Sequence, residues 1–343
     1  MSEERKTLAV RYRPRTFEEV CGQSNVVRIL RNQIKTNTNR QAYLFSGKSG
    51  CGKTTVARIF ARELNGTDGD ITEIDAASNN SVENVRQILS ESRLLPLVGK
   101  YRIYIIDEAH MISASGWAAF LKGIEEPPAH VIYIFCTTDP QKIPPTILNR
   151  VQRYGFTSLG MDVVVARLIQ ILDAEGISTY DRHSLEYIAT LSNGGMRESI
   201  STMEKCLQYD SVLNMDNVSA ALGLVGYREM FSLLRHIEAG DISATDSFIT
   251  DIYGRGIDIR TFLSHFLRFI IGVIRYTATG SASLAGFSEG YDKELLALGR
   301  GTDFYAYIMD GVARLSATVR YEASPLTFVE AFFIHLCLSD RKD

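Results

Sequence analysis

Gly47-Lys48-Ser49-Gly50-Cys51-Gly52-Lys53-Thr54 satisfies the phosphate-loop pattern G-x-x-x-x-G-K-[ST] at every position. Its flanks supply the context that the pattern needs. Ala42-Tyr43-Leu44-Phe45-Ser46 reads as a short buried strand, and the ten residues from Thr55 to Leu64 read as an amphipathic helix. In a strand–loop–helix unit the loop glycines let backbone N–H groups face phosphate, and the helix N-terminus adds a favourable dipole. Lys53 is then expected to reach the β- and γ-phosphates, and the Thr54 hydroxyl to ligate Mg²⁺. A glycine-rich turn with an incidental lysine is the competing reading, and the flanks argue against it.

Working outward, β-rich runs recur at 42–45, 71–74, 102–106 and 131–137, with helical patterns between them. That alternation predicts an α/β P-loop domain, a parallel sheet flanked by helices. Strands are expected to stop by Gly160. Helices are predicted over 162–175 and 182–191, from Gly194-Gly195 through Tyr209, and over 216–222. The stretch 226–343 reads as helical throughout, with a Gly/Ser-rich break at 280–290. A length of 343 residues suggests two or three domains, and we expect three, at 1–160, 161–225 and 226–343.

A second carboxylate-bearing strand follows the P-loop. Tyr101-Arg102-Ile103-Tyr104-Ile105-Ile106 ends in Asp107-Glu108. In a P-loop fold this is where Asp107 holds Mg²⁺ through water and Glu108 polarises the attacking water. Alone, the same pair would serve to cap a helix. Asp107-Glu108-Ala109-His110 also spells a helicase tetrapeptide, but no Q-x-x-G-R motif accompanies it, and Ser316-Ala317-Thr318 falls in a helical run. Thr138, at the tip of the 131–137 strand, is the candidate for a polar residue between the two motifs. Arg150 after the Pro144-Pro145 turn has no assigned role from its surroundings alone.

Composition narrows the classes. Hydrophobic content of 45% and charged content of 22% fit a folded protein. A net charge of −3 excludes a generally basic nucleic-acid coat, so DNA contacts must be local or assembled from several copies. The five cysteines are scattered singly, without a C-x-x-C pair, which fits reduced thiols in a cytoplasm rather than a zinc ribbon. The N-terminus is charged and has no apolar h-region, so no signal peptide is expected. The apolar run 262–274 is interrupted by His265 and Arg268 and is too short to span a bilayer; it reads as a buried helix, with no membrane partner.

Several motifs occur in a fixed order. Arg11-Tyr12-Arg13-Pro14-x-Thr16-Phe17-Glu18-Glu19-Val20-x-Gly22-Gln23 precedes the P-loop, and Glu73-Ile74-Asp75-Ala76-Ala77-Ser78 follows it. After Asp107-Glu108 come Leu121-Lys122-x-x-Glu125-Glu126-Pro127-Pro128, Thr137-Thr138-Asp139-Pro140-Gln141-Lys142-Ile143-Pro144 and Gly194-Gly195-Met196-Arg197-Glu198. This series resembles the AAA+ clamp-loader ATPases, most of all the bacterial DNA polymerase III gamma/tau family. Ser324-Pro325-Leu326-Thr327 is similar to the start of that family's last collar helix.

The resemblance implies a P-loop AAA+ domain, a small helical lid and an all-helical collar. It implies ATP and Mg²⁺ as cofactors. Val10, Arg11, Tyr12, Pro14 and Val20 would line the adenine pocket. Gly47, Ser49, Gly50, Cys51, Gly52, Lys53, Thr54 and Thr55 would hold the phosphates. Thr138 would be sensor 1. Arg197 would be sensor 2, with Met196 beside it. Arg150 matches the arginine finger that acts on a neighbouring subunit's ATP. The implied partners are a sliding clamp, primer–template DNA and further loader subunits in a pentamer. The implied location is the bacterial cytoplasm.

Departures from the family pattern matter as well. Leu64-Asn65-Gly66-Thr67-Asp68-Gly69-Asp70 runs straight to the next strand, where the family has a four-cysteine module, so no zinc is expected. Asn149 and Val151 replace the family's Ser and Cys around Arg150. Ser78-Asn79-Asn80-Ser81 is neutral where basic residues are usual. It either contacts DNA phosphates or simply caps a helix, and Ser113 and Ser115 are further DNA-contact candidates. Leu94, Leu95 and Pro96 either touch the clamp or pack beneath the next strand. A compact, zinc-free loader of this kind suits a bacteriophage or a divergent bacterium.

Overall fold

The computed structural model describes residues 6–287, 289–319, 322 and 324–339. In chain order, helices α1 (Leu8–Arg11) and α2 (Ser24–Thr36) precede strand β1 (Ala42–Ser46). Next come α3 (Lys53–Asn65), β2 (Ile71–Asp75), α4 (Val82–Glu91), β3 (Arg102–Asp107), α5 (Ala114–Glu125), β4 (Val131–Thr137), α6 (Pro145–Leu148) and β5 (Gln152–Gly155). The five strands form one parallel sheet in the order β2-β3-β4-β1-β5. The sheet agrees with the expected fold class.

Burial explains why the three inner strands, β1, β3 and β4, read as almost continuous apolar runs, since the middle of a parallel sheet is covered on both faces. Along β1, Tyr43 and Phe45 pack toward α2 and α3, while Ala42 and Leu44 pack toward α4 and α5. β4 alternates in the same way, with Ile132, Ile134 and Cys136 on the first face and Val131, Tyr133 and Phe135 on the second. Tyr43, Tyr104, Tyr133, Phe45, Phe60 and Phe120 are fully buried. Burying each such ring is worth about 2 kcal/mol or more relative to exposure. The Tyr133 hydroxyl donates to Ser92 Oγ at 3.0 Å, which anchors the end of α4 to the sheet.

β5 has no counterpart among the predicted strands. Gln152-Arg153-Tyr154-Gly155 has no apolar run, because β5 is an edge strand paired only with β1. Its Tyr154 alone turns inward, against Tyr43 and Phe45. At the opposite edge, the join from α3 to β2 is short. Gly66, at φ 66°, ends α3 in the left-handed conformation. The Asp70 carboxylate accepts N–H bonds from Leu97, Val98 and Gly99 at 2.7–2.9 Å, and these hold it below the usual carboxylate range. Those bonds fix the loop after α4. On that loop Leu94 and Leu95 are 61% and 72% exposed, so the core-packing alternative for them does not hold.

Downstream lie α7 (Met161–Ala174), α8 (Arg182–Leu191), α9 (Met196–Tyr209) and α10 (Met215–Leu222), each within a residue or two of its predicted span. By contact the chain divides into two compact units, 1–176 with 188–204, and 177–187 with 205–343. The division runs through α8 and α9, and the start of α9, which bonds to the P-loop, falls in the first unit. The second unit holds α11 (Tyr227–Glu238), α12 (Ile242–Gly254), α13 (Ile259–Thr279), α14 (Ala282–Ala285), α15 (Asp292–Leu296), α16 (Thr302–Val319) and α17 (Pro325–Ser339). Its described residues contain no strand beyond a single bridge, Tyr180 to Leu213. The apolar run 262–274 is the buried core of α13, whose Phe262, Phe266 and Phe269 stack in line. Among the described residues no helix is long and apolar enough to cross a membrane.

Candidate functional site

The carboxyl end of the sheet carries the site. The P-loop leaves β1 and returns as α3. Gly47 must be glycine, because a Cβ there would lie 2.4 Å from the Phe156 carbonyl oxygen. Lys53 is only 6% exposed, and its ammonium donates to the carbonyls of Gly47 (2.8 Å) and Lys48 (2.9 Å), which hold it across the loop. The Thr54 hydroxyl donates to Asp107 Oδ2 at 2.7 Å. A hydroxyl and a carboxylate therefore converge at one point, an all-oxygen pair of the kind a hard divalent cation such as Mg²⁺ prefers. Burial raises the thiols of Cys51 and Cys136, keeping both protonated and inert beside that point.

Glu108 follows at φ 46°, a left-handed conformation that is costly for a non-glycine residue. Its Oε2 accepts from Thr138 Oγ1 at 3.1 Å and lies 3.3 Å from His110 Nδ1. Thr137 Oγ1 accepts the Asp139 N–H at 3.0 Å and lies 3.2 Å from His110 Nδ1. His110 thus meets Glu108 as a donor only when its Nδ1 is protonated. In sequence, His110 ends the helicase-like tetrapeptide and has no role of its own.

One cavity joins the P-loop to Asp107 and Glu108; Thr138 and His110 do not line it. Its polar lining includes Lys53, Thr54, Asp107, Glu108 and Arg197, and its apolar lining includes Tyr12, Pro14, Val20, Cys21 and Ile200. Ser49, Gly50, Cys51, Gly52, Thr55 and Met196 also line it. Val10 and Arg11, expected at the adenine pocket, do not line this cavity. One turn of α1 points Val10 outward, 50% exposed, and ties Arg11 to Glu175, which Tyr12 also reaches through its hydroxyl. Arg13 lines the cavity instead, although the sequence reading assigns it nothing. Burial, and next the nearby Arg58, lower its pKa; Glu73 and Asp107 partly offset them, and Arg197 adds to them. Among the described residues no carboxylate lies within ion-pair distance of it. The cavity therefore gathers cations around a polar wall, a setting in which polyphosphate is favourable.

Arg150 is not on that cavity. It sits at the domain edge, paired with Glu125 at 2.6 Å and donating to the Thr146 carbonyl at 2.7 Å. The DNA candidates gather where α4 and α5 begin. Ser81 caps α4 by accepting from Asn84 N–H, and Ser113 caps α5 by accepting from Gly116 N–H. The Ser113 N–H donates to the Asn80 carbonyl at 3.1 Å, so the two N-termini lie side by side. Ser78, Asn79, Asn80 and Ser115 are exposed there.

A family model described as DNA polymerase III, delta subunit, matches residues 22–80 and 65–160. DNA polymerase III subunit tau of Bacillus subtilis is 33% identical over 292 residues, which cover 78% of this chain and 52% of that protein. Subunit tau of Escherichia coli is 33% identical over 284 residues, covering 76% of this chain and 44% of that protein. The chain spans about half the length of such relatives. Among solved structures, the RuvB Holliday junction branch migration motor of Thermotoga maritima superposes with a TM-score of 0.52 at 17% identity, over 75% of this chain and 90% of that one. At that identity the likeness concerns the fold alone.

Proposed function

Since the chain belongs to the clamp-loader AAA+ family of the DNA polymerase III tau and gamma subunits, we propose that it is an ATP-hydrolysing motor subunit of a sliding-clamp loader. The observation that carries this reading is the convergence of Lys53, Thr54, Asp107, Glu108 and Arg197 on one cavity that Tyr12, Pro14 and Val20 also line. In the proposed mechanism ATP lies with adenine toward Tyr12, Pro14 and Val20 and phosphates on the loop. Mg²⁺, when bound, offsets the phosphate charge. Glu108, shared between Thr138 and His110, orients and polarises the attacking water. Arg197 senses the γ-phosphate from α9.

Arg150 acts on a neighbour's nucleotide. Its exposed seat on Glu125, away from its own cavity, favours action in trans. An arginine supplied that way is worth roughly 10³–10⁵ in rate, so hydrolysis should depend on assembly. The proposed assembly is a pentamer with at least one different subunit, in the bacterial cytoplasm. ATP binding holds a ring-shaped clamp open at primer–template DNA, and hydrolysis releases it. The exposed Leu94 and Leu95 are the proposed clamp contact, and the paired starts of α4 and α5 the proposed DNA contact.

A branch-migration motor would need a winged-helix C-terminal domain, and α11 to α17 are helices. A non-hydrolysing scaffold subunit would not need Lys53, Asp107 and Glu108 in these positions. The test is the ATPase rate with and without primer–template DNA, clamp and partner subunits, for the wild type and Arg150→Ala. Stimulation by DNA and clamp, lost by at least about a hundredfold in Arg150→Ala, is expected. Fast hydrolysis by the isolated chain that neither DNA nor clamp stimulates would sink the loader reading.

A further inference from the structure

Glu198 stands in the first turn of α9, next to Arg197, and leans on the P-loop. Ser49 Oγ donates to its Oε1 at 2.9 Å, and the Met196 N–H donates to the Gly50 carbonyl at 3.1 Å. Its Oε2 is buried and has no hydrogen-bond partner. Two glycines make room for it. A Cβ on Gly50 would lie 2.0 Å from Oε2, and one on Gly195 would lie 2.4 Å from it. Gly50 is also held at φ 70°. An acidic residue in a first helical turn ordinarily just complements the helix dipole. That role does not require a carboxylate oxygen without a partner, wedged between two glycines against a loop of the phosphate-binding pattern.

We infer that Glu198 is a positioning residue that opposes polyphosphate on the P-loop and thereby couples occupancy of the loop to the placement of Arg197. The inference rests on the reading of Gly47–Thr54 as a nucleotide site. Its physics is like-charge repulsion. The carboxylate is bonded to a loop residue, Ser49, so nucleotide phosphates arriving on the same loop place several negative charges close to it. The nucleotide is held less tightly than the loop alone would hold it. The Ser49–Glu198 bond weakens on loading, and the start of α9, with Arg197, is released to move. Nucleotide discharge is correspondingly faster.

The test is equilibrium titration of the full chain with ADP and with a non-hydrolysable ATP analogue, at two salt concentrations. Glu198→Gln keeps a similar shape and an acceptor for Ser49 but removes the charge. It should bind the triphosphate about tenfold tighter, the diphosphate less so, with the gain shrinking at high salt. Ser49→Ala keeps the charge and should bind no tighter than the wild type. A purely structural contact predicts the opposite sign, weaker binding in both variants. Glu198→Gln with affinities within twofold of wild type, or weaker, overturns the inference while the nucleotide site stands. A wild-type chain that binds no nucleotide overturns the site itself.

Discussion

Arg13 shows what a contiguous motif leaves out. It lies forty residues before Lys53 in sequence yet on the same cavity, where burial first, and then Arg58 and Arg197, depress its pKa. A guanidinium in that company is relieved by an arriving polyanion, and a hydrogen bond to a charged group is worth about 1.5–3 kcal/mol. Arg13→Ala should therefore weaken ATP binding by roughly tenfold to a hundredfold, with Arg13→Lys intermediate. Isothermal titration with the ATP analogue measures this, and an unchanged affinity in Arg13→Ala would exclude the role. Lys53, Thr54 and Asp107 were legible in sequence because each sits in a local pattern whose spacing encodes its geometry. Arg13, Val10 and Arg11 were not, because one turn of α1 decides which side chain faces the cavity. That turn is set by the Arg11 and Tyr12 bonds to Glu175, 164 and 163 residues away.

At the level of elements, periodicity gave α3 and α7 to α10 their spans, whereas 226–343 was legible only as helical throughout. β5 escaped because an edge strand needs only one inward side chain, Tyr154. What periodicity does not reveal is the chemistry inside a stripe, and α13 shows it. His265 is 4% exposed and stacks on Tyr187 at 5.0 Å, with Tyr227 at 5.6 Å. Neither ring nitrogen has a hydrogen-bond partner among the described residues. Burial, reinforced by Arg268, lowers its pKa to about 3, against an unfolded value near 6.5. The native state thus binds the proton less well than the unfolded chain. No penalty applies above the unfolded value, and stability is lost as pH falls from about 6.5 toward 3, by about 1.4 kcal/mol per unit. His265→Phe keeps an aromatic ring without the titration. Thermal unfolding of both proteins at pH 7.5 and pH 5.0 should show the wild type losing about 2 kcal/mol relative to the variant. An equal difference at the two pH values would mean that His265 is not buried neutral.

For the whole molecule, charge sets the terms on which DNA is held. The net charge is −3, and the DNA surface we propose offers hydroxyls, amides and two adjacent helix N-termini, with no lysine or arginine from Ser78 to Ser81. Such groups position phosphate through N–H bonds and helix dipoles and release few counterions. Affinity for DNA should then fall only shallowly with salt, since the slope of log K against log salt is about 0.9 for each phosphate neutralised by a cation. Placing cations on that surface tests the assignment directly. Ser78 and Asn80 are exposed, and their side chains cap neither helix, so Ser78→Lys with Asn80→Lys should leave the fold intact. In the assembled complex the double variant should bind primer–template DNA more tightly at low salt. Its slope should steepen by about 0.9 for every added lysine that meets a phosphate. Fluorescence anisotropy over a salt series reads both quantities. If neither affinity nor slope moves, DNA does not pass over the starts of α4 and α5, and the interface lies elsewhere on the chain.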